Sequence, residues 1–164
     1  MYIYFYEFEF GKLGIVDRDD YITNVYFSLD DYPENAQVHE TPLLKRAGQQ
    51  LASYFRGELK EFSLPLAPEG SDFMQKVWKE LQEIPYGQTA TYKDIAIKVG
   101  SPKAARAVGL ANNRNPIPIF IPCHRVIGSD GSLVGYRGGL DLKERLLDIE
   151  KEKKTTILNM GTGK

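Results

Sequence analysis

The 164-residue sequence contains one cysteine, Cys123, two histidines and one tryptophan. A single thiol excludes an internal disulfide and any cluster of cysteines around zinc, and it fits a reducing compartment. No apolar run approaches the roughly 18 residues that a membrane helix needs. The stretch MYIYFYEFEF carries Glu7 and Glu9 where a signal peptide has a basic region, so a cytoplasmic protein is expected. The net charge of −1 gives no overall attraction for nucleic acid. A local absence says more. Residues 95–129 contain no Asp or Glu, while Lys98, Lys103, Arg106, Arg114 and Arg125 place five positive charges there. Such a stretch is either a basic patch without a partner or a surface that faces phosphates.

What is present reads as an α+β chain long enough for a good core, in one domain of typical size or two small ones. Tyr2, Tyr4, Tyr6, Phe8 and Phe10 alternate as a strand face, with a turn at GKLG before two further apolar runs. Thr41 caps a helix over about 42–56, with Pro42 in its first turn and Leu43, Leu44, Ala47, Leu51, Tyr54 and Phe55 as its stripe. The prolines of EFSLPLAPEG mark a boundary near Pro68. The expected division is an α/β domain at 1–68, a second domain at 69–150 and a flexible tail at 151–164. Ser71 caps the next helix, with Phe73, Val77, Trp78 and Leu81 inward, and IPYG stops it. Thr91 and Asp94 have the spacing of a capping box and open a short helix. Gly100 breaks that helix, and Ser101 and Pro102 start KAARAVGLA, giving a helix-turn-helix. The apolar IPIFIP reads as a strand, and a closing helix spans about 140–150. In KAARAVGLA, four residues are alanine and one is glycine, and Arg106 is the only long side chain projecting from the middle. That surface suits a close neighbour, either another helix or a DNA backbone, and it offers few groups to read base edges.

The lone thiol sits in IPCHRV. A free cysteine is often a small buried hydrophobe. Against that, His124 and Arg125 supply the positive setting that a reactive thiol needs. Adjacent residues on a strand point to opposite faces, so Cys123 and His124 cooperate only at a turn, through a water. A histidine base needs a carboxylate to orient it. On the closing helix Glu150 falls in the apolar sector between Leu146 and Leu147, which Lys143 shares, whereas Asp141, Glu144 and Asp148 fall outside it.

The string IPCHRV, preceded by NPIPIF and followed by GYRGG, resembles the active-site signature of the O6-alkylguanine-DNA alkyltransferases. VWKELQEIPYGQTATYKDIA and SPKAARAVGLANNRNP resemble the same family, so the likeness covers about 72–150 in register. The resemblance implies a ribonuclease-H-like N-terminal domain and a winged-helix-like domain whose helix-turn-helix enters the minor groove. It implies that O6-alkylguanine is flipped from double-stranded DNA and that its alkyl group passes irreversibly, once per protein molecule, to Cys123. By the same resemblance His124 is the water-mediated base and Glu150 the carboxylate behind it. Tyr92 protonates guanine N3 and crowds the phosphate, Asn115 is the hinge, and Arg106 fills the gap left by the flipped base. Lys103, Ala104, Ala105, Arg114 and Arg125 are placed on the DNA. The carbonyls of Cys123 and Val126 receive the exocyclic amine, Tyr136 and the Arg137 amide lie against guanine, and Pro118 lines the pocket. The Arg137 side chain either narrows that pocket or touches a phosphate. No metal and no cofactor are implied, and a monomer is expected. The alternatives are a lesion-binding relative without transfer, or a helix-turn-helix regulator with a redox-sensing thiol.

Overall fold

The alternating aromatics at the N-terminus form β1 (Tyr2–Phe8) in the computed structural model, which describes residues 1–28 and 30–162, residues 152–162 as backbone alone. The first turn comes earlier than GKLG suggests: Glu9 and Phe10 make it, and Gly11 already opens β2 (Gly11–Arg18). β3 (Tyr21–Phe27) follows a tight turn in which Asp19 and Asp20 adopt φ of 55° and 67°. The Asp17 carboxylate accepts the Asp20 N–H at 3.0 Å, a local bond that lets aspartate stand where such hairpins favour glycine. β4 (Gln37–Val38) adds parallel to β1, giving the order β3-β2-β1-β4.

α1 (Pro42–Phe55) begins as its sequence dictates, with the Thr41 hydroxyl accepting the Leu44 N–H. It buries Leu44, Ala47, Leu51 and Tyr54. The helix lies so close to the sheet that a Cβ at Gly48 would sit 2.6 Å from the Tyr6 ring. The connecting segment then closes the outer edge of β3. Ile22 donates to the Pro65 carbonyl and Ala67 donates to that of Ile22, both at 2.9 Å. Further along the same edge Val25 donates to the Pro116 carbonyl at 2.8 Å. An edge that would otherwise offer unpaired backbone is thus covered by the connecting segment and, at Pro116, by the second half of the chain.

In that half, α2 (Asp72–Gln82) is capped by Ser71 and buries Val77, Trp78 and Leu81. β5 (Ala90–Thr91) leads into α3 (Tyr92–Lys98), where Thr91 and Asp94 complete the reciprocal capping box. α4 (Ala105–Asn113) starts later than Ser101 and Pro102 suggest: Ala104 donates to the Ser101 carbonyl in a turn, and the helix has no side-chain cap. IPIFIP is not a strand. Pro116, Pro118 and Pro122 bring no N–H to a ladder, and the segment makes a single bridge between Pro118 and Ile121. After a 3₁₀ turn at Cys123–Arg125, β6 (Val126–Ile127) pairs parallel with β5. α5 (Leu140–Thr162) runs past the expected end at Glu150. Much of the supposed tail at 151–164 is therefore helical backbone, and Gly163 and Lys164 lie outside the described residues. The architecture is α+β. One core joins Leu13, Ile15 and Leu51 of the first half to Val77, Ile95, Val108 and Leu146 of the second.

Candidate active site

The chain arrives at Cys123 through a buried, irregular segment. Ile117, Ile119 and Ile121 are all buried, and Ile119 holds φ at 76°. A β-branched residue in that left-handed region is strained, and such strain persists only where the surroundings impose it. Asn115 imposes part of it, because its Oδ1 accepts the Ile117 N–H at 2.9 Å while its Nδ2 donates to the Ile121 carbonyl at 2.8 Å. Cys123 then donates its N–H to Ile121 at 2.7 Å, and Arg125 donates to Pro122 at 3.0 Å. This is the turn that the neighbouring thiol and imidazole required, and Asn115 holds its entry.

Cys123 is 4% exposed. Burial pushes its thiol up from the ordinary value, against a hydrogen bond from Asn115 and the charges of Arg137 and Lys143. The resting group is therefore a thiol. His124 is fully buried, with Nε2 2.8 Å from Glu150 Oε2 and Nδ1 buried without a partner. Burial lowers its pKa, helped by the charges of Arg125 and Lys143 and opposed by Glu150, so the imidazole is neutral near pH 7. Glu150 is also fully buried. Burial alone would raise its carboxyl, but hydrogen bonds from His124 and Arg125 and the Arg125 charge outweigh that and hold it at about 2. A neutral imidazole bonded through Nε2 to a carboxylate and bare at Nδ1 is a general base in its working tautomer.

Arg125 corrects the expectation that it faces DNA. Its Nε and Nη2 clasp Glu150 at 2.9 and 3.0 Å, its Nη1 donates to the Ile84 carbonyl at 2.8 Å, and the guanidinium lies over the Tyr86 ring. A buried carboxylate needs a paired charge more than the surface needs another cation. Lys98, Lys103, Arg106 and Arg114 are exposed, with Ala104 and Ala105 half-buried beside them. The Arg137 side chain does not reach outward to a phosphate, though it lines a cavity with Phe27 and Tyr136. Its side chain turns to the N-terminal sheet, donating to the carbonyls of Val25 (2.7 Å) and Asn115 (3.2 Å), pairing with Asp30 and covering Phe27.

Tyr92, at the start of α3, donates its hydroxyl to the Val134 carbonyl at 3.1 Å, and Lys143 donates to the same carbonyl at 2.8 Å. The two donors hold the loop around Val134 between α3 and α5. Burial, then the nearby Cys123, raises the Tyr92 pKa. Tyr136 has its hydroxyl buried without a partner, and Val126 and Pro118 are buried.

Three residues of the site were missed in the sequence. Tyr54 reaches from α1 to Glu150 Oε2 at 2.5 Å. Asn112 donates to the Cys123 carbonyl at 3.3 Å and leaves its own buried Oδ1 unpartnered. The Gly87 N–H donates to Glu150 Oε1 at 3.1 Å. The one available signal was the hydroxyl of Tyr54 on an otherwise apolar stripe.

Comparison with known proteins gives consistent relatives. Residues 1–68 match the model of the 6-O-methylguanine DNA methyltransferase ribonuclease-like domain, and residues 72–152 match that of the 6-O-methylguanine DNA methyltransferase DNA binding domain. The methylated-DNA–protein-cysteine methyltransferase of Methanosarcina barkeri is 60% identical over 114 residues, 70% of this chain and 72% of the relative. The constitutive methylated-DNA–protein-cysteine methyltransferase of Bacillus subtilis is 51% identical over 148 residues, covering 86% and 90%. The crystal structure of Mycobacterium tuberculosis OGT in complex with DNA superposes with a TM-score of 0.88 at 42% identity, over 93% of this chain and 94% of that one.

Proposed function

The chain belongs to the 6-O-methylguanine DNA methyltransferase family, and from that premise we propose how it works as a methylated-DNA–protein-cysteine methyltransferase that repairs DNA by direct reversal. Cys123 is the alkyl acceptor. Its proton passes through one water to Nδ1 of His124, and the sulfur attacks the alkyl carbon on guanine O6. The C–S bond forms as the C–O bond breaks, and the electron pair leaves with guanine. Tyr92 then gives the base a proton at N3 and recovers one from solvent. A thioether is not reversed by ordinary reductants, so each molecule acts once. One observation carries the assignment: His124 has its Nε2 committed to Glu150 while Nδ1 is buried and free to accept.

Double-stranded DNA carrying O6-alkylguanine meets α3 and α4, which serve as a helix-turn-helix used in the minor groove by a monomer. Lys98, Lys103, Arg106 and Arg114 contact phosphates or the gap, with Arg106 standing in for the flipped base. Gly109 supports this. A Cβ there would meet only the Tyr92 ring, at an ordinary 3.8 Å, yet a mid-helix glycine costs about 0.5–1 kcal/mol relative to alanine. The packing of the protein does not demand that glycine; a DNA backbone pressed against α4 would. The unpartnered hydroxyl of Tyr136 and the carbonyls of Cys123 and Val126 are the groups offered to the flipped base.

Intact mass spectrometry after mixing with a duplex containing one O6-methylguanine is expected to show one added methyl group on the Cys123 peptide. Cys123→Ala is expected to abolish the addition while still binding alkylated duplex. An unmodified protein, or a methyl group on another residue, would reject the assignment.

A further inference from the structure

We infer that Tyr54, on the helix of the N-terminal half, is a positioning residue for alkyl transfer: its hydroxyl holds the Glu150 carboxylate so that His124 keeps its proton on Nε2 and presents a bare Nδ1 to the thiol proton. The inference rests on the roles of Cys123 and His124 set out above. Tyr54 is fully buried, with Oη 2.5 Å from Glu150 Oε2 and 3.3 Å from His124 Nε2. A phenol has one proton to give. The anionic oxygen at 2.5 Å takes it, since the alternative acceptor is both neutral and farther away. That oxygen also accepts from His124 at 2.8 Å and Arg125 at 3.0 Å. The other tautomer would press a bare Nε2 lone pair against a carboxylate oxygen at 2.8 Å. The cluster therefore fixes the proton on Nε2.

Packing alone does not call for this hydroxyl. The Tyr54 ring packs among Phe55, Phe62 and Tyr86, which a phenylalanine would do equally well without burying a polar atom. Among the described residues, the titratable and charged groups facing the His124–Glu150 pair are Tyr54 from α1, Tyr86 from the loop after α2, Arg125 from the 3₁₀ turn, Tyr136 from the glycine-rich loop and Lys143 from α5. Among these Tyr54 and Arg125 donate directly to the carboxylate, and only Tyr54 comes from the N-terminal half. Losing its donation leaves a more basic carboxylate, which holds imidazolium more tightly. His124 then protonates at higher pH, and less of the bare base exists on the acid side.

The test is the pH dependence of single-turnover transfer by the full chain, comparing the parent with Tyr54→Phe and Phe55→Leu. Phe55 lies on the same helix and packs on Phe8, Phe10 and the Tyr54 ring itself, so its variant loosens the packing around Tyr54 while leaving the Tyr54 hydroxyl in place. Tyr54→Phe is expected to move the acid limb upward, with a further loss of about threefold to tenfold near pH 6 beyond any loss near pH 8, the effect of one hydrogen bond. Phe55→Leu is expected to keep the parent shape. A Tyr54→Phe profile that overlays the parent, or an equal shift in Phe55→Leu, overturns the inference. If the parent transfers no alkyl group, the functional reading fails instead. The nitrogen-15 resonances of His124 then decide the role of Tyr54 separately: protonation on Nε2 in the parent and a raised titration midpoint in Tyr54→Phe support it, and an unchanged midpoint overturns it.

Discussion

At Glu150 one carboxylate accepts from Tyr54, Gly87, His124 and, twice, Arg125. Five donors keep it ionised inside the protein, and burial, helped by the Arg125 charge, keeps His124 from holding a proton at rest. Arg125 thus serves the base rather than the DNA, and the two jobs separate experimentally. Arg125→Met leaves a buried carboxylate without its cation, so chemical denaturation is expected to show a loss of about 3–5 kcal/mol, while the salt dependence of DNA binding keeps the parent slope. Arg106→Ala should do the reverse: stability within about 0.5 kcal/mol, and a log–log salt slope shallower by about 1. A shallower slope in Arg125→Met would restore it to the DNA surface. The misplacement has a physical origin. A run of cations along the chain counts charge in one dimension, and burial, which the run does not encode, decides what each cation faces. Cys123 and His124 were legible because the lone thiol lies beside an imidazole, whereas the helical wheel only offered Glu150 as a candidate, in a sector that Lys143 shares, and the family resemblance assigned it. Tyr54 was not legible, because its bond to Glu150 joins residues 96 apart.

Elements that are set locally were readable, and those that are set by contacts were not. Thr41, Ser71 and the Thr91–Asp94 pair start their helices because a cap satisfies N–H groups within three residues. IPIFIP failed as a strand because its backbone groups pair with the Asn115 side chain and, from Ile121 to Ile117, with each other, while Pro118 and Pro122 have no N–H to give a ladder. The loop around Val134 is likewise held from outside, by Tyr92 of α3 and Lys143 of α5. That hold gives Tyr92 two duties with opposite signs. Removing its hydroxyl frees the Val134 loop from α3, and in the mechanism proposed above it also removes the proton donor to the leaving base. Tyr92→Phe is therefore expected to speed alkylation of Cys123 by iodoacetamide about twofold to tenfold, the worth of one hydrogen bond. The same variant is expected to slow transfer from an alkylated duplex. If both rates fall together, the hydroxyl does not restrain the loop.

Over the whole molecule, the catalytic cluster is also a joint between halves. Tyr54 ties α1 to α5 through Glu150, Arg137 ties the glycine-rich loop to β3, and the core runs through both halves. The pH dependence of folding therefore reports on the active site. His124 is held neutral below its usual 6.5, and Glu150 is held ionised down to about 2 from its usual 4.5. In both cases the unfolded chain binds a proton that the native state refuses, so stability rises with pH across the interval. It is complete above about 6.5, starts to fall as unfolded His124 gains its proton, and is lost most steeply between about 4.5 and 2 as unfolded Glu150 gains its own. Denaturant midpoints read across that range are expected to decline accordingly, with Trp78 fluorescence and far-ultraviolet circular dichroism giving one coincident transition. Glu150→Gln has no carboxyl to titrate there, so its curve is expected to start lower and run flatter between about 4.5 and 2. A parent curve that stays level through that interval would mean the carboxylate is not the group that locks the halves together. Separate transitions for Trp78 and the circular dichroism would mean that the halves are not locked at all.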